Sequence, residues 1–299
     1  MLKRFFVSGI LYLFFYAEGV KAMDLDFGFD YKVDNVFLDL YVNNVPFIDP
    51  GYDLGTSGSM QSNLDFKYML YNGRNNLTFI THKVDKKSSA ELKVLFKSWE
   101  VNNFTMPFES VNDGYILTFD FEKADRCELE GLGGNITIVE NGCDIKEKPE
   151  GYVISVGFDI NYPELYRSKY LDEAVLVKNT DNLKDKLAIE YKKVYQMFKE
   201  RNVSDFKKYY SPSFVKYNKD TGEAIDDIFN SVFGKVMTNA DFKLSDFELD
   251  DSRVYVTEDR KLFTLAPSPF SMKNSETSES FEPIMHFWFD KNGQVKIKQ

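Results

Sequence analysis

Few side chains in this chain have the chemistry to act as nucleophiles, metal ligands or general bases. The 299 residues include two cysteines, Cys127 and Cys143, and two histidines, His82 and His286. A redox-active cysteine pair is normally spaced as Cys-x-x-Cys, and a zinc site needs further ligands nearby, which this sequence does not supply. We therefore expect Cys127 and Cys143 to form a structural disulfide that closes a glycine-rich loop.

Motifs for common enzyme classes are absent from the sequence. It contains no Gly-x-Ser-x-Gly, no His-Glu-x-x-His and no Gly-x-x-x-x-Gly-Lys, which are the signatures of serine hydrolases, zinc proteases and phosphate-binding loops. The sequence therefore predicts no catalytic residue, no metal and no cofactor.

An acidic run, Asp246, Glu248, Asp250 and Asp251, offers oxygen ligands of the kind that calcium binds. Alternation along a strand instead places the first three of these on one face, opposite Phe247 and Leu249, which indicates a solvated sheet edge. Asp290-Lys291-Asn292-Gly293 is likewise interpreted as a tight hairpin turn and not as a calcium loop.

Residues 1–22 have the composition of a cleavable export signal. Lys3 and Arg4 precede the twelve-residue apolar run Phe5–Tyr16, and Val20-Lys21-Ala22 places small side chains at the cleavage positions. The run is shorter than the roughly 20 residues that span a membrane, so no membrane anchor is expected after cleavage. The sequence thus predicts export to the periplasm, with the cell exterior as the alternative, and export favours the disulfide.

Charge is distributed unevenly along the chain. Residues 23–170 hold 24 acidic and 14 basic side chains, whereas residues 171–299 hold 22 and 20. An acidic surface repels nucleic acid and anionic lipid. This excess favours a cationic protein partner, or it serves solubility alone.

Residues 23–165 predict an all-β antiparallel sandwich. Val36, Leu38 and Leu40 alternate with more polar neighbours, and further runs of this kind are separated by turn signals. The strands expected after the first are Leu64–Leu70, Asn76–Val84, Glu91–Trp99, Gly114–Phe121, Asn135–Glu140 and Tyr152–Ile160. The segments Asn43–Pro46 and Tyr71–Leu77 resemble the turns of jelly-roll and immunoglobulin-like accessory sandwiches, which often bind sugars or proteins.

A linker is expected at residues 166–180 and an α+β domain at residues 181–299. Leu183, Leu187, Tyr191, Val194 and Phe198 form one face of a helix, for which Thr180 or Asp181 is the expected cap. A short helix capped by Ser204 should follow, and then a third helix beginning at Thr221. One broad apolar face of the third helix comprises Ile225, Ile228, Phe229, Val232, Phe233 and Val236. Strands are then predicted at Phe242–Leu249, Arg253–Thr257, Lys261–Ala266, Ile284–Phe289 and Gln294–Lys298, and the long loop between Ala266 and Pro283 is the expected contact surface.

This order of elements, with the phrase Phe198–Phe214 and the aromatic last hairpin Phe287–Ile297, resembles the nuclear transport factor 2 superfamily. The resemblance implies a cone, in which helices pack on a curved antiparallel sheet and can leave a pocket at the wide end. The superfamily includes isomerases and dehydratases as well as non-catalytic binding proteins.

The resemblance also implies which residues would line such a pocket. His286 and Trp288 share one strand face, opposite Met285, Phe287 and Phe289, and Tyr191 and Tyr195 would face them from the helix. The alternative is that the Met285 side is core and His286 lies at the surface or is lightly packed.

The sequence therefore predicts an exported, non-enzymatic binding protein with two domains. Its resemblance to some bacterial immunity proteins favours a protein partner, such as a toxin that it neutralises. The alternatives are a small-ligand binder or an isomerase or lyase that uses the cone pocket, and a sugar-binding or envelope-associated module.

Overall fold

The computed structural model describes residues 25–47, 56–65, 69–100, 114–122, 127–132, 135–162, 173–277 and 279–297. The predicted export signal, residues 1–22, and the first part of the predicted linker lie outside the described residues. None of the helices in the described part of the chain is both long and apolar enough to cross a membrane.

The N-terminal strands all belong to one antiparallel sheet. Nine strands are hydrogen-bonded together, in the order β7-β6-β5-β1-β4-β9-β8, with β2 and β3 also paired to β1. Their bounds are β1 Leu25–Val42, β2 Val45–Pro46, β3 Thr56–Asp65, β4 Gly73–Lys83, β5 Glu91–Glu100, β6 Gly114–Asp120, β7 Cys127–Leu132, β8 Ile136–Lys148 and β9 Gly151–Ile160.

The sheet is curled. Strands β4 and β5 pair with successive stretches of β1, Val36–Val42 and Leu25–Asp34. The strands next to them, β9 and β6, approach each other, and the ring centroids of Tyr152 and Phe119 are 5.1 Å apart. Its outermost strands, β7 and β8, are joined by the predicted disulfide, with the Cα atoms of Cys127 and Cys143 6.5 Å apart. The buried side chains of the sheet form one hydrophobic core of aliphatic and aromatic residues.

Strand β1 is irregular near its middle, at Asn35, where its register with β3 shifts. Residues Leu25–Asp34 pair with β5 and residues Val36–Val42 pair with β4, and between them Asn35 has a φ of 55°. The buried side chain of Asn35 donates to the carbonyls of Asp85, at 2.9 Å, and Ser89, at 3.0 Å, and accepts from the amide of Asp85 at 2.7 Å. One asparagine therefore occupies the irregular position of β1 and holds the connection between β4 and β5.

Two predicted N-terminal strands were misplaced. The strand expected at Leu64–Leu70 is β3, which ends at Asp65 and pairs with β1 through its backbone despite a polar sequence. The strand expected at Asn135–Glu140 continues to Lys148, because a register shift between Ile138 and Cys143 absorbs the predicted turn at Gly142. A Cβ on Gly142 would lie 2.4 Å from the carbonyl oxygen of Val139, so this irregularity requires glycine.

The C-terminal domain combines helices with two small antiparallel sheets, ordered β10-β13-β14 and β11-β12-β15-β16. The helices are α1 Leu183–Glu200, α2 Val203–Tyr209, α3 Ser211–Thr221, α4 Ile225–Phe229, a π-helix Asn230–Gly234 and α5 Lys235–Thr238. The strands are β10 Phe242–Leu244, β11 Arg253–Val256, β12 Phe263–Ala266, β13 Met272–Asn274, β14 Ser280–Phe281, β15 Phe287–Phe289 and β16 Val295–Ile297.

Helix α1 buries the predicted face, Leu183, Leu187, Tyr191, Val194 and Phe198. The predicted helix caps were wrong. Asn182 precedes α1 without a side-chain capping bond, and the side chain of Asn202, not Ser204, accepts from the amide of Asp205 to cap α2.

Other C-terminal boundaries also differ from expectation. Thr221 ends α3 instead of beginning a helix, and Pro212 is tolerated in the first turn of α3 because the amide there has no partner within the helix. The strand predicted at Phe242–Leu249 ends at Leu244, and the loop predicted between Ala266 and Pro283 contains β13 and β14. The last hairpin is confirmed, since Phe289 pairs with Val295 across the Asp290–Gly293 turn.

We expect Asn35→Ala to lower the free energy of unfolding by about 2–4 kcal/mol, because it leaves buried backbone groups without their partners and places alanine in the left-handed region. Asn182→Ala is the matched control. Asn182 has a similar φ of 60° but is exposed and makes no capping bond, so its loss should be about 1 kcal/mol. Urea unfolding of both variants measures the difference, and equal losses would contradict the role assigned to the Asn35 side chain.

Candidate functional site

The end of helix α1 fixes the position of the helices that follow. Arg201 closes α1 with a φ of 51°. Its guanidinium donates to the carbonyls of Met237 and Asn239, at 2.9 Å each, and to that of Phe242 at 2.7 Å. These carbonyls lie at the end of α5, which directly follows the π-helix, and in β10. The Arg201 side chain therefore connects the end of α1 to both elements.

The π-helix Asn230–Gly234 changes which apolar side chains face outward. Each turn of a π-helix holds an extra residue, and such turns are frequent at functional sites. A Cβ on Gly234 would lie 3.0 Å from Oδ1 of Asn230, an exposed side chain that would have to shift slightly. Val232 is 52% exposed, while the ring of Phe233 packs 4.8 Å from that of Phe206 and 5.8 Å from that of Phe281.

A cleft of about 300 Å³ opens between this π-helix and the 281–286 segment. We call it the apolar cleft. Most of its lining side chains are apolar, and it is bounded by Tyr210, Val232, Phe233, Phe281, Glu282, Pro283, Ile284, Met285, His286 and Ile297. Its apolar lining is that of a small-molecule site, and its volume is at the lower end of the range for such sites.

Three side chains that line the apolar cleft can form hydrogen bonds, namely Tyr210, Glu282 and His286. Burial raises the pKa of Tyr210 well above its usual value, and the neighbouring Tyr209 raises it further. The Tyr210 hydroxyl is therefore protonated at neutral pH and is a neutral group.

His286 belongs both to the apolar cleft and to the contact between the two domains. It is only 7% exposed, so it is buried and does not lie at the surface. Its Nε2 lies 3.2 Å from the carbonyl oxygen of Pro46 in β2. The β1–β2 hairpin turns at Asn43 and Asn44, whose φ values of 49° and 70° suit a two-residue turn, and it reaches the C-terminal domain. We call this contact the domain seam.

Trp288 lies in the domain seam and not in a ligand pocket. It packs, together with Leu262, into the apolar core of the N-terminal sheet. Elsewhere in the seam, the rings of Tyr41 and Tyr255 are 5.8 Å apart. The predicted alternation of β15 is confirmed, since Phe287 faces the core of the C-terminal domain, but the face carrying Trp288 is covered by the N-terminal domain.

Tyr191 lies on the opposite side of β15 from Trp288. Its ring is fully buried and lies 5.8 Å from that of Phe287. Its hydroxyl donates to the carbonyl of Leu265 at 3.0 Å and accepts from the amide of Met285 at 3.2 Å. The structure therefore does not bring Tyr191 together with His286 in one pocket, because α1 packs on the Met285 face of the strand.

Tyr195 supports a second cleft, of about 280 Å³. Its ring lies 5.4 Å from that of Phe270 and 5.5 Å from that of Phe247. We call this the acidic cleft, because four of its lining residues are carboxylates. Its lining comprises Ser245, Asp246, Glu248, Asp251, Ser252, Pro267, Ser268, Pro269, Phe270, Ser271 and Glu282. Within the described ranges, no three His, Cys, Asp or Glu side chains are grouped to hold a metal ion.

A third cleft, of about 440 Å³, lies on the N-terminal sheet where the β8–β9 turn packs on β4. His82 borders it, and its ring centroid lies 4.8 Å from that of Phe37. A Cβ on Gly151 would lie 2.1 Å from the carbonyl oxygen of Thr81, so this approach requires glycine. Its walls mix Ile80 and Tyr152 with Asp39, Lys148 and Glu150.

Sequence reasoning missed most of the apolar cleft. Val232 and Phe233 were both assigned to the buried face of one continuous helix. The apolar face of that predicted helix is unusually wide. This width is the sequence feature that indicates an irregular helix. His286 was identified as a pocket residue, and the structure places it in the lining of this cleft.

We expect Tyr191→Phe to lower the free energy of unfolding by about 1–3 kcal/mol, because the buried Met285 amide loses its acceptor. Tyr195→Phe is the matched control on the same helix. The Tyr195 hydroxyl has no hydrogen bond to the described residues, and its loss should change stability by less than about 0.5 kcal/mol. Chemical denaturation tests both variants, and an unaltered midpoint for Tyr191→Phe would contradict a structural role for its hydroxyl.

Comparison with known proteins leaves the family open. No family model matches the chain, and neither curated proteins nor solved structures show a significant match. The resemblance to the nuclear transport factor 2 superfamily accordingly stays a prediction.

Proposed function

We propose that this chain is an exported, non-enzymatic binding protein, located in the periplasm or outside the cell, and that its C-terminal domain holds a small apolar ligand. The observation that carries this proposal is the apolar cleft. It is about 300 Å³ in volume, within the range of small-molecule sites, and polar side chains contribute only a minority of its lining.

Exposure of Val232 supports a ligand in this cleft. More than half of its surface is in contact with water, on a π-helix whose other bulky apolar residue, Phe233, is packed against aromatic rings. A ligand that covers Val232 gains about 25 cal/mol for each Å² of apolar surface removed from water.

The contacts of the candidate residues favour binding over isomerase or lyase chemistry. A general base must reach a substrate proton directly or through one water. Nε2 of His286 is occupied by the Pro46 carbonyl, and the Tyr191 hydroxyl is bonded to backbone groups on the other side of β15. These two side chains therefore support the structure instead of sharing a substrate.

The proposal includes a fold for each domain, a sandwich for the N-terminal one and a cone for the C-terminal one. The packing of α1 on β11, β12 and β16 supports a cone, and the curl of the N-terminal sheet supports a sandwich-like core. The C-terminal helices are followed by antiparallel strands, as in the superfamily that the sequence resembles. This order supports the proposal that the wide end of the cone holds a ligand.

Capture of a cationic protein, such as a toxin, is the second candidate function. It is favoured by the acidic cleft beside the 266–283 segment, which the sequence indicates as a contact surface, and by the excess of carboxylates in residues 23–170. Affinity capture from an envelope extract tests it, and the absence of any stoichiometric protein partner would count against it.

Val232→Glu tests the apolar cleft. A carboxylate at this position must lose water when an apolar ligand binds, so we expect the affinity for 1-octanol, measured by calorimetry, to fall by about tenfold or more. Val215→Glu is the control, because Val215 is 51% exposed on α3, close to the 52% of Val232, and does not line the cleft.

Both variants change a half-exposed valine to the same charged residue, so their stabilities should be similar. Equal octanol affinities for the two variants, or no octanol binding by the unmodified chain, would overturn the proposed site.

A further inference from the structure

The apolar cleft and the acidic cleft are neighbours that share one residue. Glu282 lines both of them. It directly follows β14, whose Phe281 forms part of the apolar wall, and on its other side the acidic cleft is lined by Asp246, Glu248 and Asp251. A ligand that extends past Glu282 therefore passes from apolar to acidic surroundings.

The two linings have opposite chemistry. Apolar side chains dominate the first cleft, whereas carboxylates and serines dominate the second. Neither cleft has a Lys or Arg among its described lining residues. Such a surface favours a positive charge and disfavours a negative one.

The acidic cleft is held in shape by hydrogen bonds between its two walls. The amide of Ser245 donates to the carbonyl of Ser271, and the Ser271 amide donates to Oγ of Ser245, both at 2.9 Å. The Glu248 amide donates to the Pro269 carbonyl at 2.8 Å, and Oγ of Ser252 donates to the Pro267 carbonyl at 2.9 Å. A cleft fixed in this way loses little conformational entropy when a ligand binds.

We infer that the ligand is a cationic amphiphile, meaning a molecule with an apolar body and one amine. The apolar body occupies the apolar cleft and contacts Val232 and Phe233. The ammonium lies beyond Glu282, beside Glu248 and Asp251. This inference rests on the proposed function and adds to it the charge of the ligand.

Three probes with the same eight-carbon chain separate apolar binding from charge recognition. They are octylamine, 1-octanol and octanoate, measured by calorimetry with the full chain at neutral pH and low salt. We expect octylamine to bind about tenfold more tightly than octanol, and octanoate to bind more weakly than octanol. Added salt should reduce the preference for octylamine and leave octanol unaffected.

A pair of charge-matched variants tests where the amine is recognised. In the Glu248→Gln, Asp251→Asn variant, octylamine affinity should fall by about tenfold, towards that of octanol, while octanol affinity stays the same. The control, Glu147→Gln, Asp227→Asn, removes the same net charge at exposed positions that line neither cleft. It should leave the affinity for octylamine within about twofold.

The outcomes distinguish this inference from the proposed function. If octanol binds and octylamine binds no more tightly, the cationic ligand class is wrong and the apolar site stands. An equal loss of octylamine affinity in both double variants would also overturn the inference, because it would reflect net charge alone. If none of the three probes binds, the proposed function fails with it.

Discussion

The left-handed backbone of Asn35 is the constraint on which the N-terminal domain depends. Asn35 divides the 18-residue strand β1 into a stretch that pairs with β5 and a stretch that pairs with β4, while β3 stays paired with β1 on both sides of it. The strands that extend the sheet from β5 and β4 end in β7 and β8, which are joined by the disulfide. Asparagine suits this position because it tolerates a positive φ and because its amide satisfies the backbone groups of the connection between β4 and β5.

The same strand also determines how the domains meet. Its far end turns through Asn43 and Asn44 into β2, whose buried residues Val45 and Pro46 lie against the C-terminal domain. The Asn43 side chain donates to Oδ1 of Asn75 at 3.0 Å and accepts from the Asn76 amide at 2.9 Å, so the hairpin is anchored to β4 as well. Because Trp288 and Leu262 pack into the N-terminal core, the seam is continuous with the hydrophobic interior.

Periodic sequence patterns predicted mainly those helices and strands that bury one face. The alternation of β1, the buried face of α1 and the last hairpin follow from residues that are near each other in sequence. Strands β3 and β7 were misplaced or missed because backbone pairing holds them and their sequences are polar or glycine-rich. Local sequence patterns could not predict the contact of His286, because the Pro46 carbonyl lies 240 residues away in the chain. Tyr191 was placed correctly on its helix, but the sequence does not specify which face of β15 that helix covers.

The 266–283 connection explains why two clefts of different chemistry lie side by side. Hydrogen bonds from Ser245, Glu248 and Ser252 fix its first part, and the ion pair of Lys235 with Glu279, at 2.5 Å, fixes its last part against α5. That ion pair is half-exposed, so it orients the connection more than it stabilises the fold. A connection held by polar bonds at both ends needs no continuous apolar face of its own. It can therefore present serines and carboxylates on one side and place Phe281 against the rings of Phe198 and Phe233 on the other.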